Sequence, residues 1–188
     1  MKTKKNSFIL VSTLLLIFSC SSSKKTSFTA EQKDEFHKLV QSKSFKITAK
    51  WANPLATQSM NAVANAGLLA PGNTINRIDL TGTASFLEVK GDSVSANLPY
   101  YGERQIAGAY NSSAIGIQFN GLAKDFKMSY NEKREAYEMQ FLATHKTEVF
   151  NINAVLFINN AATIYINSSQ RLAINYQGAF KKQQDEVN

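Results

Sequence analysis

Residues 147–180, TEVFNINAVLFINNAATIYINSSQRLAINYQGAF, decide the fold class because apolar and polar side chains alternate along them. A period of two, interrupted by Asn-Asn and Ser-Ser-Gln turns, is typical of antiparallel strands with one face on the core and one in water. The predicted inner face holds Phe150, Ile152, Ala154, Leu156, Ala162, Ile164, Ile166, Leu172, Ile174 and Tyr176. The predicted outer face holds Asn151, Asn153, Thr163, Asn175 and Gln177.

The same alternation predicts strands upstream, at 45–51, 75–80, 84–90, 93–98, 114–119, 125–130 and 136–144. Turn residues such as Gly91-Asp92 and Asn120-Gly121 separate them. Short links favour antiparallel pairing of sequential strands, and nine or ten strands tend to curl or to split into two sheets. We therefore predict a mainly β fold, an antiparallel curved sheet that is either barrel-like or a sandwich meander, with one N-terminal helix.

That helix is predicted at 29–43, where Thr29 and Gln32 fit a capping box and Phe36, Leu39 and Val40 form one apolar stripe. Residues 55–74 interrupt the strand pattern and predict a short helix near Met60 followed by a loop.

The N-terminus predicts export. Lys2, Lys4 and Lys5 precede eleven mostly apolar residues at 8–18. Eleven residues span about 16 Å as a helix, too short to cross a hydrocarbon core of about 30 Å. A basic start followed by an apolar stretch of this length is typical of a secretory signal.

The signal ends in Ile17-Phe18-Ser19-Cys20, which resembles the lipobox of bacterial lipoproteins. The resemblance implies cleavage between Ser19 and Cys20, acyl chains on Cys20, and stable anchoring to a membrane. By resemblance to the sorting rules of bacteria with two membranes, Ser21 in place of an acid favours the outer membrane. The absence of an early acidic cluster favours the periplasmic side over surface display. The alternative is an ordinary signal peptide in which Cys20 is incidental.

The domain organisation predicted is a signal at 1–19, a flexible tether at 20–28, a single mainly β domain at 29–182 and a tail at 183–188.

Composition excludes several classes of function. The chain has a net charge of +7, which falls to +4 without the three lysines of the signal, and its lysines are scattered. Nucleic-acid binding requires a clustered basic patch, so we expect no nucleic-acid partner. The single cysteine leaves no disulfide and no cysteine-based zinc site. The two histidines, His37 and His145, lie far apart and predict solvated residues, so we expect no metal and no cofactor.

No catalytic constellation emerges, and the candidate binding surface is an aromatic segment. Tyr100, Tyr101, Arg104 and Tyr110 lie on a predicted loop that also carries glycines. Aromatic rings on such a loop can form a surface for a ligand or a partner. The alternative is that the tyrosines close one end of the sheet, with their hydroxyls bonded to the backbone.

Two separated motifs resemble a known family. FLEVKGDSV at 86–94 with LPYYG at 98–102, and AINYQG at 173–178, resemble the signature and closing strand of a family of Bacteroidota lipoproteins known as domain of unknown function 4251. The resemblance covers about residues 30–182 and implies a secreted, lipid-anchored, mainly β domain with no assigned activity. In addition, Asp92-Ser93-Val94 resembles an acceptor for O-linked glycans in Bacteroidota, although a simple hairpin turn also explains these residues.

These observations favour a lipid-anchored protein of the cell envelope that binds a small ligand or an envelope protein and is not an enzyme. Two alternatives stay open: an envelope hydrolase with an unrecognised site, and a structural protein of envelope assembly.

Overall fold

The computed structural model describes residues 28–106 and 116–183. Its elements, in chain order, are α1 (Ala30–Gln41), β1 (Ser44–Pro54), α2 (Gln58–Asn65), β2 (Ile78–Asp79), β3 (Phe86–Lys90), β4 (Ser93–Leu98), β5 (Ile117–Leu122), β6 (Lys124–Asn131), β7 (Ala136–His145), β8 (Glu148–Phe157), β9 (Ala161–Ser168) and β10 (Ile174–Lys182). Neither helix is long and apolar enough to cross a bilayer, in the part of the chain that the structure describes.

The strands form one antiparallel sheet in the order β5-β4-β3-β1-β10-β9-β8-β7-β6, with β2 added on β1. The sheet curls until β5 approaches β7, which makes a nearly closed barrel. The predicted mainly β class is therefore confirmed, and the barrel-like form is the one observed. Side chains of the predicted inner face, among them Phe150, Ile164 and Tyr176, are buried inside the barrel.

Helix α1 packs against the barrel and supports it through one apolar stripe. The predicted capping box is present, because Thr29 Oγ1 accepts from the Gln32 amide while Gln32 Oε1 accepts from the Thr29 amide. Phe36 and Val40 are buried, and the Phe36 ring meets the rings of Tyr137 and Phe180.

The prediction that His37 is solvated is wrong. Its ring is half-buried, and Nδ1 lies 3.0 Å from the Tyr137 hydroxyl. The reason is that α1 lies against β7 at this point, so the ring packs edge-on to Tyr137.

The predicted turn at Asn120-Gly121 is also wrong, since both residues lie inside β5. Pairing along the whole of β4 keeps these residues extended, with Gly121 opposite Val94 and Asn120 opposite Ser95. The local irregularity comes later, inside β6, where Asp125 has a positive φ of 52° and the pairing with β7 shifts register between Lys124 and Lys127. Strands β5 and β6 are then sequential but not paired, because they form the two ends of the sheet.

Strand β1 lies at the centre of the sheet, where the first and last parts of the domain meet. It pairs with β3 on one side and with β10 on the other, and its pairing with β10 shifts register between Ala49 and Trp51. Gly178 of β10 faces this irregularity: a Cβ added there would lie 2.9 Å from Ala49 Cα and closer still to the Thr48 carbonyl oxygen. The glycine that ends the AINYQG motif is thus required by the close approach of two backbones.

Candidate functional site

The predicted aromatic surface is partly an internal closure of the barrel. Tyr100 is only 9% exposed, and its hydroxyl lies within hydrogen-bonding distance of the carbonyl oxygens of Glu103 (3.0 Å) and Leu172 (3.1 Å). The Tyr176 hydroxyl donates to the Pro99 carbonyl at 2.8 Å. Burial raises the pKa of Tyr100 above its ordinary value, although the positive charge of Arg171 opposes the rise. This geometry is the one that the alternative interpretation of these tyrosines predicts.

Beneath Tyr100 lies a buried ion pair. Arg171 Nε donates to Glu148 Oε1 at 2.8 Å and a terminal nitrogen donates to Oε2 at 3.0 Å, which is a bidentate arrangement. Ser168 Oγ donates to the same carboxylate, and the Arg171 guanidinium also lies 5.2 Å from the centre of the Tyr100 ring.

The pKa of Glu148 is below its ordinary value despite this burial. Burial alone raises the pKa, but hydrogen bonds from Arg171 and Ser168, together with the charges of Arg171 and Arg104, outweigh it. The carboxylate is therefore a satisfied structural anion, because the groups around it favour its charged form.

Arg104 is fixed at the rim of the same cluster. Its guanidinium donates to Gln170 Oε1 at 3.1 Å and lies 3.9 Å from Glu148. Tyr101 beside it is half-buried. The structure thus brings Tyr100, Tyr101 and Arg104 to one end of the barrel, but Tyr100 and Arg104 are engaged in contacts within the chain. The fourth predicted residue, Tyr110, lies outside the described residues.

The other predicted sites are distributed differently. Ser93 is exposed at the start of β4, directly after the two-residue turn Gly91-Asp92, so its glycosylation stays a prediction. Ser19 and Cys20 lie outside the described residues, and acylation and cleavage there also stay predictions.

The acidic residues that an enzyme would need are on separate elements. Asp92 pairs with Lys43 at 3.4 Å, and Glu138 on β7 pairs with Arg134 at 3.1 Å. The Glu103 carboxylate has its pKa lowered by hydrogen bonds from Ser59 and Thr57. Across the described ranges, no three His, Cys, Asp or Glu side chains are grouped so that they could hold a metal ion.

A different feature, on the outer face of the sheet, has the geometry of a binding surface. Five residues on neighbouring strands lie side by side across this face, each directly opposite the next. In order they are Asn53 of β1, Asn175 of β10, Tyr165 of β9, Asn153 of β8 and Gln140 of β7. We call these five residues the amide row. Since neighbouring strands are about 4.8 Å apart, the row extends over about 19 Å.

Two depressions flank the amide row. The first has a volume of about 140 Å³ and is lined by Asn53, Leu55, Tyr165, Ile166, Asn167, Ala173, Ile174 and Asn175. The second, of about 270 Å³, is lined by Asp125, Lys127, Gln140, Phe141, Leu142 and Asn151. Asn167 of the first and Asn151 of the second lie directly opposite each other on β9 and β8, so the two depressions are joined by polar side chains.

The first depression contains unsatisfied hydrogen-bonding capacity. Oδ1 of Asn53 and Oδ1 of Asn175 are both buried, and neither has a hydrogen-bond partner in the described part of the chain. Asn53 Nδ2 is held by the carbonyl of Asn76 at 3.0 Å, which fixes that amide in place. Buried acceptors without a protein partner are costly, so a donor from outside the chain, either water or a ligand group that displaces it, completes the bonding of these two oxygens.

Apolar contact area is available at the same place. The Tyr165 ring is 43% exposed in the middle of the amide row, and Leu55 is 52% exposed at its edge. Sequence reasoning placed Asn153, Asn175 and their neighbours on the water-facing side but did not single them out. The signal that could have found them is the repetition of carboxamides at alternate positions, Asn151 and Asn153 on β8 and then Asn175 and Gln177 on β10, where any polar residue would satisfy a solvated face.

Comparison with known proteins agrees with the fold. No curated protein is detectably similar to the chain. A crystal structure of a DUF4251 family protein from Bacteroides eggerthii superposes with a TM-score of 0.54 at 15% identity, covering 81% of this chain and 89% of that one. The model of the DUF4251 family, a domain of unknown function, matches residues 28–180. The chain therefore belongs to the DUF4251 family, as its two motifs predicted.

Proposed function

We propose that this protein is a lipid-anchored component of the cell envelope that binds a ligand on the outer face of its barrel, at the amide row. The observation that carries the binding proposal is the pair of unpartnered, buried oxygens of Asn53 and Asn175 beside the exposed Tyr165 ring. A depression that combines apolar contact with a few fixed polar groups is the usual composition of a ligand site.

The anchoring part of the proposal rests on the sequence. The signal, the lipobox ending at Cys20 and the polar tether at 20–28 favour an acylated protein of the outer membrane, facing the periplasm. Replacing Cys20 with Ser should abolish acylation. Mass spectrometry of the N-terminal peptide and flotation of membranes on a density gradient measure the effect, and a wild-type N-terminus that is unacylated or still carries residues 1–19 would refute the anchor.

Binding is tested with the acylated protein held in nanodiscs. Saturation-transfer NMR with a mixed collection of neutral polyols, organic acids, amines and short peptides reports which class of small molecule contacts the protein. Asn167→Trp should remove the signal because its ring fills the first depression, whereas Asn120→Trp, an exposed Asn on β5, should leave it unchanged. If no compound binds, or if both variants behave like wild type, binding at the amide row is wrong.

A further inference from the structure

We infer that the ligand of the amide row is a neutral oligosaccharide. This inference rests on the proposed function, since it names the class of molecule that the same surface binds. The first observation is charge: every side chain that lines the first depression is neutral at physiological pH, so an ionic ligand finds no counter-charge there. In this depression the bound molecule must be recognised by hydrogen bonds and apolar contact alone, while the second depression carries one acid and one base, Asp125 and Lys127, and so has no net charge.

The polar groups of the row match hydroxyl groups. A carboxamide offers two N–H donors and a carbonyl acceptor, and a sugar hydroxyl both donates and accepts, so each amide can pair with a hydroxyl in either sense. The Asn175 Oδ1 atom needs a donor, Asn175 lines the first depression, and the broad terminal torsion of its side chain lets the carboxamide turn toward a ligand there. Asn153 is already oriented, because its Nδ2 donates to Asn151 Oδ1 at 3.3 Å.

The exposed Tyr165 ring supplies the apolar half of the contact. It stands between Asn175 on one side and Asn153 on the other, directly opposite each. A flat ring flanked by amides fits a pyranose, whose C–H groups cover one face and whose hydroxyls project around the edge. Tyrosine suits this role since it combines a large apolar face with a polar tip.

The dimensions favour an oligomer over a single sugar. A volume of about 140 Å³ in the first depression is close to the roughly 150 Å³ that holds one benzene ring in a protein interior. The second depression begins on the next strand, β8, where its residue Asn151 lies directly opposite Asn167 of the first. A chain of several sugar rings can therefore place one ring in each depression and contact Tyr165 between them.

A protein partner fits this surface less well. The fully buried centre of a protein interface is enriched in aromatic residues, Met and Arg. The lining of the first depression contributes one aromatic ring and three Asn side chains. Binding of peptides in place of sugars is one of the outcomes of the test below.

The test uses the nanodisc-embedded protein on an array of neutral and acidic glycans that includes maltohexaose, cellohexaose and chitohexaose, with oligogalacturonate as the acidic comparison. We expect at least one neutral hexasaccharide to bind, and the acidic one to bind more weakly. Tyr165→Ala should weaken binding about tenfold, in keeping with the loss of one aromatic contact, whereas Tyr165→Phe should keep most of it.

Asn175→Leu distinguishes a residue that binds the ligand from one that only stabilises the fold. Replacing an unpartnered buried amide with an apolar side chain of similar volume removes a desolvation cost, so the urea midpoint should stay the same or rise. Saccharide binding should nevertheless fall by tenfold or more. Loss of binding together with unchanged or increased stability supports the inference, whereas unchanged binding refutes it.

The remaining outcomes separate the inference from the proposed function. If Asn167→Trp blocks the binding of some small molecule but no neutral glycan binds, the inference of a saccharide ligand is wrong, whereas the proposed binding site is supported. Tighter binding of oligogalacturonate or of peptides also refutes the neutral saccharide. If nothing binds in either experiment, both proposals fail.

Discussion

Gly178→Ala should destabilise the barrel strongly, although it adds a single methyl group. The new Cβ would lie 2.9 Å from Ala49 Cα and closer to the carbonyl oxygen of Thr48. Both obstacles are backbone atoms, and they belong to the strand that pairs with β3 and with β10, so they cannot move without disturbing the centre of the sheet.

The expected cost follows from overpacking. Inserting one carbon into a well-packed interior costs about 1–3 kcal/mol when side chains can adjust. Here the backbone must shift, so we expect about 3 kcal/mol, at the upper end of this range. For a domain of this size, each kcal/mol lowers the melting temperature by about 2–4 °C, which gives a decrease of about 6–12 °C.

The matched control is Gly121→Ala. Gly121 also lies within a strand, but a Cβ there would meet nothing within 4 Å, and its φ is not in the left-handed region. Urea unfolding followed by circular dichroism measures both variants, and the control should differ from wild type by less than about 0.5 kcal/mol, as expected for a surface position. If Gly178→Ala loses less than about 1 kcal/mol, or if the two variants lose equal amounts, the close approach of β1 and β10 is not what requires glycine.

Three further perturbations test other parts of the domain. Arg171→Met should lower the free energy of unfolding by about 3 kcal/mol at pH 7, because it leaves the Glu148 carboxylate buried without its bidentate partner. The double variant Glu148→Leu/Arg171→Met should recover most of that loss, and an Arg171→Met protein as stable in urea as wild type would contradict the reasoning. Because the pKa of Glu148 in the folded wild type is below the unfolded value of 4.5, its ionisation stabilises the wild type at pH values above 4.5, and this stabilisation is lost as the pH falls through the folded pKa. In Arg171→Met, burial raises the pKa of Glu148, so protonation at low pH relieves the penalty of the unpaired charge. The difference in unfolding free energy between the two proteins should therefore narrow from pH 7 to pH 4, and a constant difference would show that the pair is not ionised as described. Thr29→Ala should cost about 1 kcal/mol through loss of the α1 cap, with Thr29→Ser restoring it, and equal stability of all three proteins in the same unfolding assay would refute the cap.

The sequence predicts those parts of the fold that depend on neighbouring residues. The start of α1 was predictable because Thr29 and Gln32 satisfy each other's amides within one turn. Strands β7 to β10 were predictable because the alternation extends over most of each strand. The turn predicted at Asn120-Gly121 was wrong because pairing of β5 with β4, which depends on tertiary structure, outweighed the local preference of these two residues for a turn.

The candidate site depends on contacts that no local pattern contains. The amide row joins residues 53, 140, 153, 165 and 175, which come from five strands. Their alignment follows from register, and a slip of one residue would turn any of these side chains to the opposite face. Alternation places the four residues on β7 to β10 on the outer face, but it places Asn53 on the inner face with Phe45 and Ala49. Asn53 reaches the outer face because β1 shifts register between Ala49 and Trp51, and only the strand order reveals one continuous line.

The filling of the barrel gives an independent reason for a ligand site on the outside. Small closed sheets either fill their interior with side chains or enclose a ligand. Here the aromatic rings of Phe45, Phe141, Phe150, Tyr176 and Phe180 are fully buried within it. The end near Tyr100 is closed by hydroxyl–backbone bonds and by the Glu148–Arg171 pair. A ligand that entered there would have to break a buried ion pair, which costs about 3–5 kcal/mol when one partner is lost. The outer face requires no such rearrangement, because its Tyr165 ring is already exposed and Asn175 needs only to turn about its terminal side-chain torsion.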